Sequence, residues 1–241
     1  MLLLAVDTAT PAGSVAVLRD GRLVGVVSTS VDETYSTRLF RQLDFLLAEL
    51  QLKMDHFDVF AVAAGPGSFT GIRVGLAAVK AWAEVYGKPV VSLSGLEAVA
   101  AQAAWPNDAD YVAAPVLRAG RGQIYGALYR RRGADITAQD QGQACTAEEF
   151  LAYVAEHAKD SPVQFLSPQP EIIQSALQNS KLFPAATARN EQNVQKVSPV
   201  LAPILAELGF ARATRGEFTD ALRLDANYIQ RSDAEVSWKG P

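Results

Sequence analysis

The sequence predicts an α/β fold in two similar halves with a cleft between them. Two observations point to this fold: the first half reads as βββαβαβα, and a similar order restarts after the turn-forming stretch at residues 105–108. We therefore expect a first domain over residues 1–106 and a second over residues 107–216. A C-terminal tail follows over residues 217–241, and its return to the first domain is left open.

Apolar runs and helical spacing predict the elements of the first half. Residues 2–6 are a short apolar run typical of a buried strand, and Asp20-Gly21 is a hairpin signal between two further strands. Leucines recur at three- and four-residue spacing between residues 36 and 50, which indicates an amphipathic helix. The predicted elements are strands 2–6, 14–18 and 23–28, helix 36–50, strand 59–64, helix 70–86, strand 89–93 and helix 95–104.

The second half repeats this order less regularly. Thr146 is a candidate N-cap for a helix that ends near His157. Residues 179–197 have no clear period and are predicted to be a long surface loop. The predicted elements are strands 111–117, 123–130 and 134–139, helix 146–157, strand 163–166, and helices 170–177 and 199–213.

Composition excludes several classes of function. The 241 residues carry a formal net charge of −4, which argues against a chain that grips nucleic acid by itself. One cysteine cannot form an internal disulfide, and two histidines far apart in sequence give no zinc motif. No run approaches the roughly 18 apolar residues of a membrane span, and the N-terminus lacks a basic signal-peptide region, so we predict a cytoplasmic protein.

Residues 65–75, with the sequence GPGSFTGIRVG, are the most informative stretch. Gly65 and Gly67 permit dihedrals that other residues avoid, and the free N–H groups at the start of the following helix attract anions. Neither nucleotide-binding fingerprint fits, since no lysine follows Gly71 and Thr70 stands where G-x-G-x-x-G needs glycine. A tight turn that supports helix packing is the favoured interpretation, and a phosphate cradle is the alternative.

Helix 70–86 is apolar almost all round, since its charged residues fall on one narrow stripe. Such a helix needs a second buried contact besides the sheet, and Gly71 and Gly75 would let another helix approach closely. The cover is either the first helix of the same domain or a partner protein, and Phe40 and Leu47, off the main stripe of that helix, favour the partner. A Gly75→Leu change is expected to block this approach without emptying the core. The candidate interface residues are Phe40, Leu47, Gly71, Gly75, Ala78 and Trp82.

Four segments together resemble the TsaB (YeaZ) family of the bacterial threonylcarbamoyladenosine tRNA-modification system, within the sugar-kinase/Hsp70/actin-like superfamily. The G-P-G-S-F-T-G-x-R element is highly specific, and the order of the segments extends over nearly the whole chain. The segments are residues 4–10 with 14–16, residues 65–75, residues 89–96 and residues 228–235.

The resemblance implies a tandem actin-like, ribonuclease H-like fold in a protein that does not perform the transfer itself. In the family the catalytic work belongs to a paralogue, TsaD, and the ATPase TsaE joins the assembly. The helices equivalent to residues 36–50 and 70–86 form the pairing surface, so tRNA is reached only through the complex. The same surface predicts a homodimer in isolation, because an isologous contact needs one self-complementary patch.

A metal site is not expected, and neither is a cofactor. The paralogue's metal site uses a His-x-x-x-His pair, whereas this chain has Leu93, Gly95 and a lone Glu97 in the corresponding stretch. The chain also departs from the family's acidic pattern in the second half, where Leu117 and Gln123 stand at the acidic positions. Both differences favour a pseudo-enzyme.

Asp7, at the end of the first strand, has two interpretations. It either positions a hydrated metal, with nearby hydroxyls on phosphates, or it satisfies main-chain groups of the following turn, which is favoured. The first interpretation supports the alternative function, an independent small-molecule kinase or ATPase that uses the cleft. A hydrolase or protease lacks a recognisable nucleophile motif. The candidate cleft residues are Asp7, Thr8, Thr10, Gly65, Gly67 and Arg118.

Overall fold

The computed structural model describes residues 1–31, 33–104, 110–133, 135–158, 161–183, 194–227 and 229. These residues form two compact units. Unit 1 contains residues 1–98 and 199–227, and unit 2 contains residues 99–198 and residue 229, each as far as described. The chain therefore leaves unit 1 after residue 98 and returns to it at residue 199.

Unit 1 is built on a five-stranded sheet in the order β3-β2-β1-β4-β5. The first three strands are an antiparallel meander, while β4 and β5 run parallel to β1. The predicted order βββαβαβα is confirmed. The elements are β1 (Leu2–Asp7), β2 (Ser14–Arg19), β3 (Arg22–Ser28), α1 (Tyr35–Leu50), β4 (Val59–Ala63), α2 (Phe69–Tyr86), β5 (Val90–Leu93) and α3 (Gly95–Ala100), with a short 3-10 turn at Met54–His56.

Helices cover both faces of this sheet. Successive side chains of a strand point to opposite faces. In β4, Val62 lies next to Gly75 of α2, whereas its neighbour Ala61 lies next to Gly209 of a C-terminal helix, α6 (Ala202–Thr214). Helix α1 lies beside α2, and α6 packs along β1, β2, β4 and β5 on the opposite face. Because both faces are covered, every residue of β1 and β4 is buried.

The position of α6 differs from the predicted domain bounds, which placed helix 199–213 with residues 107–216. The structure places α6 in unit 1, where Gly209 lies against Leu3 and Leu93 of the sheet. The physical reason is that α1 and α2 cover only one face of a sheet whose strands are apolar on both. After α6, Thr219 forms a bridge with Val90, so the tail reaches the edge of the sheet at β5.

Unit 2 contains a seven-stranded sheet whose longest strand, β6, pairs with three others. Strands β7 and β8 both lie antiparallel to β6, at its C-terminal and N-terminal parts respectively, and β11 lies parallel to it. Helices α4 and α5 pack on the core of this sheet around Phe150 and Ile173. The elements are β6 (Asp110–Gly120), β7 (Gln123–Gly126), β8 (Tyr129–Arg132), β9 (Asp135–Ala138), β10 (Gln143–Cys145), α4 (Ala147–Ala158), β11 (Val163–Ser167), α5 (Glu171–Asn179) and β12 (Val194–Lys196).

Unit 2 differs from the sequence prediction in several details, and strand β10 has no predicted counterpart. The predicted strand 123–130 is two strands, because β7 and β8 pair with different parts of β6. Strand β12 lies inside the predicted loop 179–197 and pairs with β11; its three residues are too short to give a periodic signal. The predicted break at residues 105–108 lies outside the described residues.

Among the described helices, none is both long and apolar enough to cross a bilayer.

Candidate functional site

Residues 65–75, called the glycine junction from here on, connect β4 tightly to α2. The Gly65–Pro66 peptide bond is cis, and the hydroxyl of Ser68 caps α2 by accepting a 3.2 Å hydrogen bond from the Gly71 N–H. The Ser68 N–H donates at 2.8 Å to the carbonyl oxygen of Ala9, in the loop after β1 (residues 8–13, the β1 loop). Protein groups therefore already occupy these N–H positions at the start of α2.

Glycines of the junction bring α2 directly onto the β1 loop. A Cβ atom on Gly67 would clash with the carbonyl oxygen of Ala9. One on Gly71 would clash with the carbonyl oxygen of Thr8, and one on Gly75 with the Thr8 hydroxyl. Only glycine permits this contact, so these residues allow a close approach inside unit 1.

The structure corrects the predicted role of Gly71 and Gly75 as partner contacts. Both are buried, and each faces the end of β1 rather than the outer surface of α2. A Gly75→Leu change would drive a side chain into Thr8, so it would disturb unit 1 and does not test pairing. The sequence did not reveal this, because the pattern of an almost wholly apolar helix does not show which side meets the sheet.

Gly65 has a structural role as well. Its φ is +116°, and a Cβ atom there would come within 2.8 Å of the Asn227 carbonyl oxygen. Its own carbonyl oxygen accepts a 2.8 Å hydrogen bond from the Gly95 N–H, at the start of α3. These contacts favour the interpretation of residues 65–75 as a packing turn over that of a phosphate cradle.

Asp7 is fully buried at the end of β1, and both of its carboxylate oxygens accept local hydrogen bonds. Oδ1 accepts from the Ala9 N–H at 2.9 Å, and Oδ2 accepts from the Thr10 hydroxyl at 2.5 Å. Burial raises the pKa of Asp7 above its usual value, while the Thr10 and Ala9 hydrogen bonds and the Arg38 charge act in the opposite direction. This geometry is that of a carboxylate closing a turn.

The hydroxyls near Asp7 also have protein partners. The Thr8 hydroxyl donates at 2.6 Å to the Gly71 carbonyl oxygen. The Ser14 hydroxyl accepts a 3.2 Å hydrogen bond from the Ala202 N–H and so caps the first turn of α6. Among the described residues, no group of three or more histidine, cysteine, aspartate or glutamate side chains could hold a metal ion.

Arg118, the remaining candidate cleft residue, lies on β6 of unit 2. Its Nε donates at 3.1 Å to the Gln169 side-chain oxygen, and its Nη2 lies 3.9 Å from a Glu171 oxygen. More than half of the Arg118 side chain is exposed. Its grouping with Asp7 in one cleft stays a prediction.

Glu97, which sequence reasoning took for a lone carboxylate, has a partner that the sequence did not reveal. Both of its oxygens accept from Nη2 of Arg212 on α6, at 2.6 and 2.8 Å, and Nη1 of Arg212 donates at 3.0 Å to the Ser92 carbonyl oxygen. The pair joins residues 115 positions apart, so no local pattern could predict it. Glu97 therefore balances a guanidinium charge inside unit 1.

The outer side of α1 and α2 is different, because it leaves apolar side chains uncovered by the described residues. Phe40 is 48% exposed and Val85 is 73% exposed, whereas Leu47, Ala78 and Trp82 are partly exposed. The Trp82 ring lies 5.9 Å from that of Phe60, so one side of Trp82 belongs to the core. Four of the six predicted interface residues therefore keep exposed surface.

Helical geometry places these side chains on one surface. Both helices lie on the same face of the sheet and run antiparallel to β1. At about 100° per residue, Phe40 and Leu47 lie on the flank of α1 that faces α2. Val74, Ala78 and Val85 lie within about 40° of one another on the facing flank of α2. We call Phe40, Leu47, Val74, Ala78, Trp82 and Val85 the paired-helix surface.

The charged residues of α2 lie on its other flank. Arg73, Lys80 and Glu84 point away from the paired-helix surface, and the Arg73 guanidinium stacks on the Phe69 ring at 3.7 Å. Val74 and Val85 were missing from the predicted interface, although their spacing of 11 residues, three helical turns, was a signal.

Comparisons with known proteins agree with this architecture. The family model described as TsaD, tRNA N6-adenosine threonylcarbamoyltransferase, matches residues 18–208. The tRNA threonylcarbamoyladenosine biosynthesis protein TsaB of Bacillus subtilis is 27% identical over 242 residues, which cover 99% of this chain and 98% of that protein. The resembling segment at residues 228–235 lies outside the described residues, apart from Ile229.

Solved structures confirm the predicted tandem actin-like fold. The crystal structure of a Pseudomonas aeruginosa protein with similarity to peptidase YEAZ gives a TM-score of 0.74 at 22% identity, over 95% of this chain and 99% of that one. A ROK hexokinase from Thermus thermophilus gives 0.51 at 12% identity, over 88% and 100%. Identities this low show the fold alone. By the family match over residues 18–208, the chain belongs to the TsaD family of tRNA N6-adenosine threonylcarbamoyltransferases, as a TsaB (YeaZ)-like member.

Proposed function

We propose that this chain is a non-catalytic subunit in tRNA threonylcarbamoyladenosine biosynthesis, which binds a TsaD-like transferase through the paired-helix surface. The observation that carries the proposal is the exposed apolar character of that surface, at Phe40 and Val85 above all. Exposed apolar surface that continues over two adjacent helices is typical of a protein-binding site. Covering it with another polypeptide removes it from water, which favours association.

The proposed reaction, threonylcarbamoyladenosine formation in tRNA, is inferred from family membership. The chain belongs to the transferase's own family, and TsaB of Bacillus subtilis is named for the biosynthesis of the same modified nucleoside. A supporting role is favoured over a catalytic one because Glu97 is engaged by Arg212 and Asp7 closes a turn. With both carboxylates engaged, the described residues of unit 1 offer neither a base nor a metal ligand at these two positions.

Three further parts of the proposal depend on the same complex. The chain pairs with itself through the paired-helix surface when the transferase is absent, because that surface is self-complementary in its apolar character. A TsaE-like ATPase joins the pair, and tRNA is reached only through the assembly. The reaction takes place in the cytoplasm.

Reconstitution of the modification tests the proposal. The purified chain is mixed with the transferase of the same organism, a TsaE-like ATPase, unmodified tRNA and the threonylcarbamoyl adenylate. The modified nucleoside is then quantified by mass spectrometry. We expect no product from the chain alone and full activity only when the chain is added to the other components. Product from the chain without transferase would contradict the proposal.

A matched pair of variants makes this test specific. Phe40 and Phe45 lie on the same helix with similar exposure, 48% and 58%, but on opposite flanks of α1. Phe40→Asp is expected to lower the stimulation by about tenfold or more, as loss of a central interface residue does, and Phe45→Asp to leave it unchanged. Equal stimulation by both variants would exclude the paired-helix surface.

The alternative, an independent kinase or ATPase, makes a different prediction. It requires Asp7 to hold a hydrated metal beside ATP, whereas Ala9 and Thr10 already satisfy that carboxylate. Calorimetry with magnesium and ATP is therefore expected to give no binding by the isolated chain. Micromolar binding that is abolished by Asp7→Ala would favour the alternative.

A further inference from the structure

We infer that Arg38 is a positioning residue, which sets the spacing between the N-terminal ends of α1 and α2 and through it the geometry of the paired-helix surface. Its consequence for pairing rests on the proposed function. The contacts that make Arg38 a positioning residue belong to unit 1 alone, so they are tested separately.

Arg38 is a charged side chain inside a packed helix face. It is 6% exposed, and its Nη1 donates at 2.9 Å to the carbonyl oxygen of Pro11 in the β1 loop. Its Nη2 lies against Gly13 and has no hydrogen-bond acceptor among the described residues. A buried N–H group without an acceptor costs stability. Packing energy alone therefore does not account for an arginine at this position.

The contacts of Arg38 belong to a closed network that connects the β1 loop, α1 and α2. Its guanidinium carbon lies 5.2 Å from the centre of the Tyr35 ring on α1. The Tyr35 ring in turn lies against Gly71 of α2, where a Cβ atom would come within 3.0 Å of it. The Gly71 carbonyl oxygen accepts the hydrogen bond from Thr8, which returns to the β1 loop. A shift of α1 relative to α2 would therefore break at least one contact of this network.

A second buried polar side chain, one turn further along α1, holds the same loop. Gln42 is 3% exposed, and its amide donates at 2.8 Å both to the Gly13 carbonyl oxygen and to the Thr29 hydroxyl. The C-terminal half of α1 is held differently, since Leu46 and Leu50 pack against Gly25 of β3. Apolar contacts of this kind tolerate small sliding movements, whereas hydrogen bonds to fixed carbonyl groups are directional.

The difference between the polar contacts at the N-terminal end of α1 and the apolar contacts at its C-terminal end indicates the role of Arg38. Buried polar groups are in several systems retained for structural specificity at a cost in stability. In this chain, directional contacts at the N-terminal end of α1 fix its rotation and its distance from α2. Phe40 lies two residues after Arg38 on α1, and Val74 lies three residues after Gly71 on α2. The contact network therefore determines the distance between the side chains of Phe40 and Val74.

Electron paramagnetic resonance tests the positioning role directly. Spin labels at Ser36→Cys and Thr70→Cys, both exposed positions, report the separation of the two helix ends through dipolar broadening. The native thiol, Cys145, should not react with the label, because it is buried and its pKa is raised to about 11. Arg38→Met is expected to change the broadening, because it removes the donor to Pro11 and the stacking charge. Arg41→Met, on the same helix but largely exposed, is the matched control and is expected to change nothing. An unchanged spectrum in Arg38→Met would overturn the inference.

Binding of the transferase, measured by calorimetry on unlabelled protein, tests the consequence. Arg38→Met is expected to weaken binding by roughly tenfold while its melting temperature stays within about 5 °C of the wild type. Native affinity in this variant would overturn the inference. If wild-type chain does not bind the transferase, the proposed function fails, and the spin-label comparison still decides the role of Arg38.

A second variant covers the case in which Arg38→Met does not fold. Arg38→Lys keeps the charge but loses the planar group that stacks on Tyr35. Altered broadening in folded Arg38→Lys would support the inference, and a wild-type spectrum would overturn it.

Discussion

The part of α2 that meets the β1 loop, called its inner side, differs from the flank that carries Val74, Ala78 and Val85, called its outer side, in how completely the rest of unit 1 covers it. On the inner side, Gly71 and Gly75 lie against the end of β1 with no room for a side chain. On the outer side, Val74 and Ala78 keep exposed surface and Val85 is almost uncovered. The glycine junction thus explains how α2 is attached, whereas the paired-helix surface, which has no motif, leaves apolar side chains exposed.

Polar groups show the same contrast. Those at the end of β1, including the carboxylate of Asp7 and the hydroxyl of Thr8, have partners within unit 1. The paired-helix surface consists of apolar residues, and the charges of α2 lie on the other flank. Changes on the inner side should therefore affect folding, and changes on the outer side should affect association.

The largest effect on folding is expected at Gly71. In Gly71→Leu, the added side chain would clash with the Thr8 carbonyl oxygen, which belongs to the main chain and has little freedom to move. We expect the free energy of unfolding to fall by about 3 kcal/mol or more, as in severe overpacking. Urea denaturation measures it, with Ala77→Leu on the exposed side of the same helix as control, expected within about 0.5 kcal/mol of wild type. Similar losses in both variants would contradict the difference proposed between the inner and outer sides of α2.

A smaller loss is expected from the ion pair between Arg212 and Glu97. Arg212→Ala leaves the mostly buried Glu97 carboxylate without its guanidinium partner, so we expect a loss of about 1–3 kcal/mol in the free energy of unfolding. The exposed pair of Arg215 and Glu217 provides the control, since solvent screening should make the loss in Arg215→Ala clearly smaller. Equal losses in the free energy of unfolding, measured by urea denaturation, would show that burial does not determine how much these ion pairs stabilise the protein.

Asp7 gives a pH-dependent effect. Burial raises its folded-state pKa above the ordinary value of 3.8, so the folded state binds this proton more tightly than the unfolded state does. The resulting stabilisation is fully present below pH 3.8 and is lost as the pH rises through the raised pKa. Asp7→Asn removes this term, so its free energy of unfolding relative to wild type should increase with pH above about 4. A constant difference between the two proteins from pH 4 to 8, by urea denaturation, would contradict the shift.

The smallest effect on folding is expected on the outer side, at Val85. Because Val85 is 73% exposed, Val85→Ser should change the free energy of unfolding by no more than about 0.5 kcal/mol. It should nevertheless reduce self-association of the isolated chain, measured by light scattering over a range of concentrations. A large loss of stability with unchanged self-association would mean that Val85 belongs to the core.

The sequence predicted those features that depend on neighbouring residues. The order of elements in unit 1, the hairpin at Asp20-Gly21 and the exposed apolar character around Phe40 all follow from local patterns. The position of α6 does not, since its contacts with the sheet, such as Gly209 against Leu3, join residues far apart in the chain. The same limit applies to Glu97 and Arg212.

Glycines of the junction illustrate a second limit. A G-x-x-x-G spacing on α2 predicts a close approach, but not the group that approaches. In this chain that group is Thr8, through its carbonyl oxygen at Gly71 and its hydroxyl at Gly75, because the β1 loop lies beside the start of α2. The outer surface is formed instead by partly exposed side chains one or three residues away from these glycines, such as Val74 and Ala78.

Calorimetric titration of the TsaD-like transferase of the same organism with the chain and its two phenylalanine variants would decide whether the paired-helix surface binds the transferase. We expect one-to-one binding by the wild type, binding at least tenfold weaker by Phe40→Asp, and wild-type affinity for Phe45→Asp. Wild-type affinity in Phe40→Asp, with the variant folded, would contradict the assignment of the paired-helix surface.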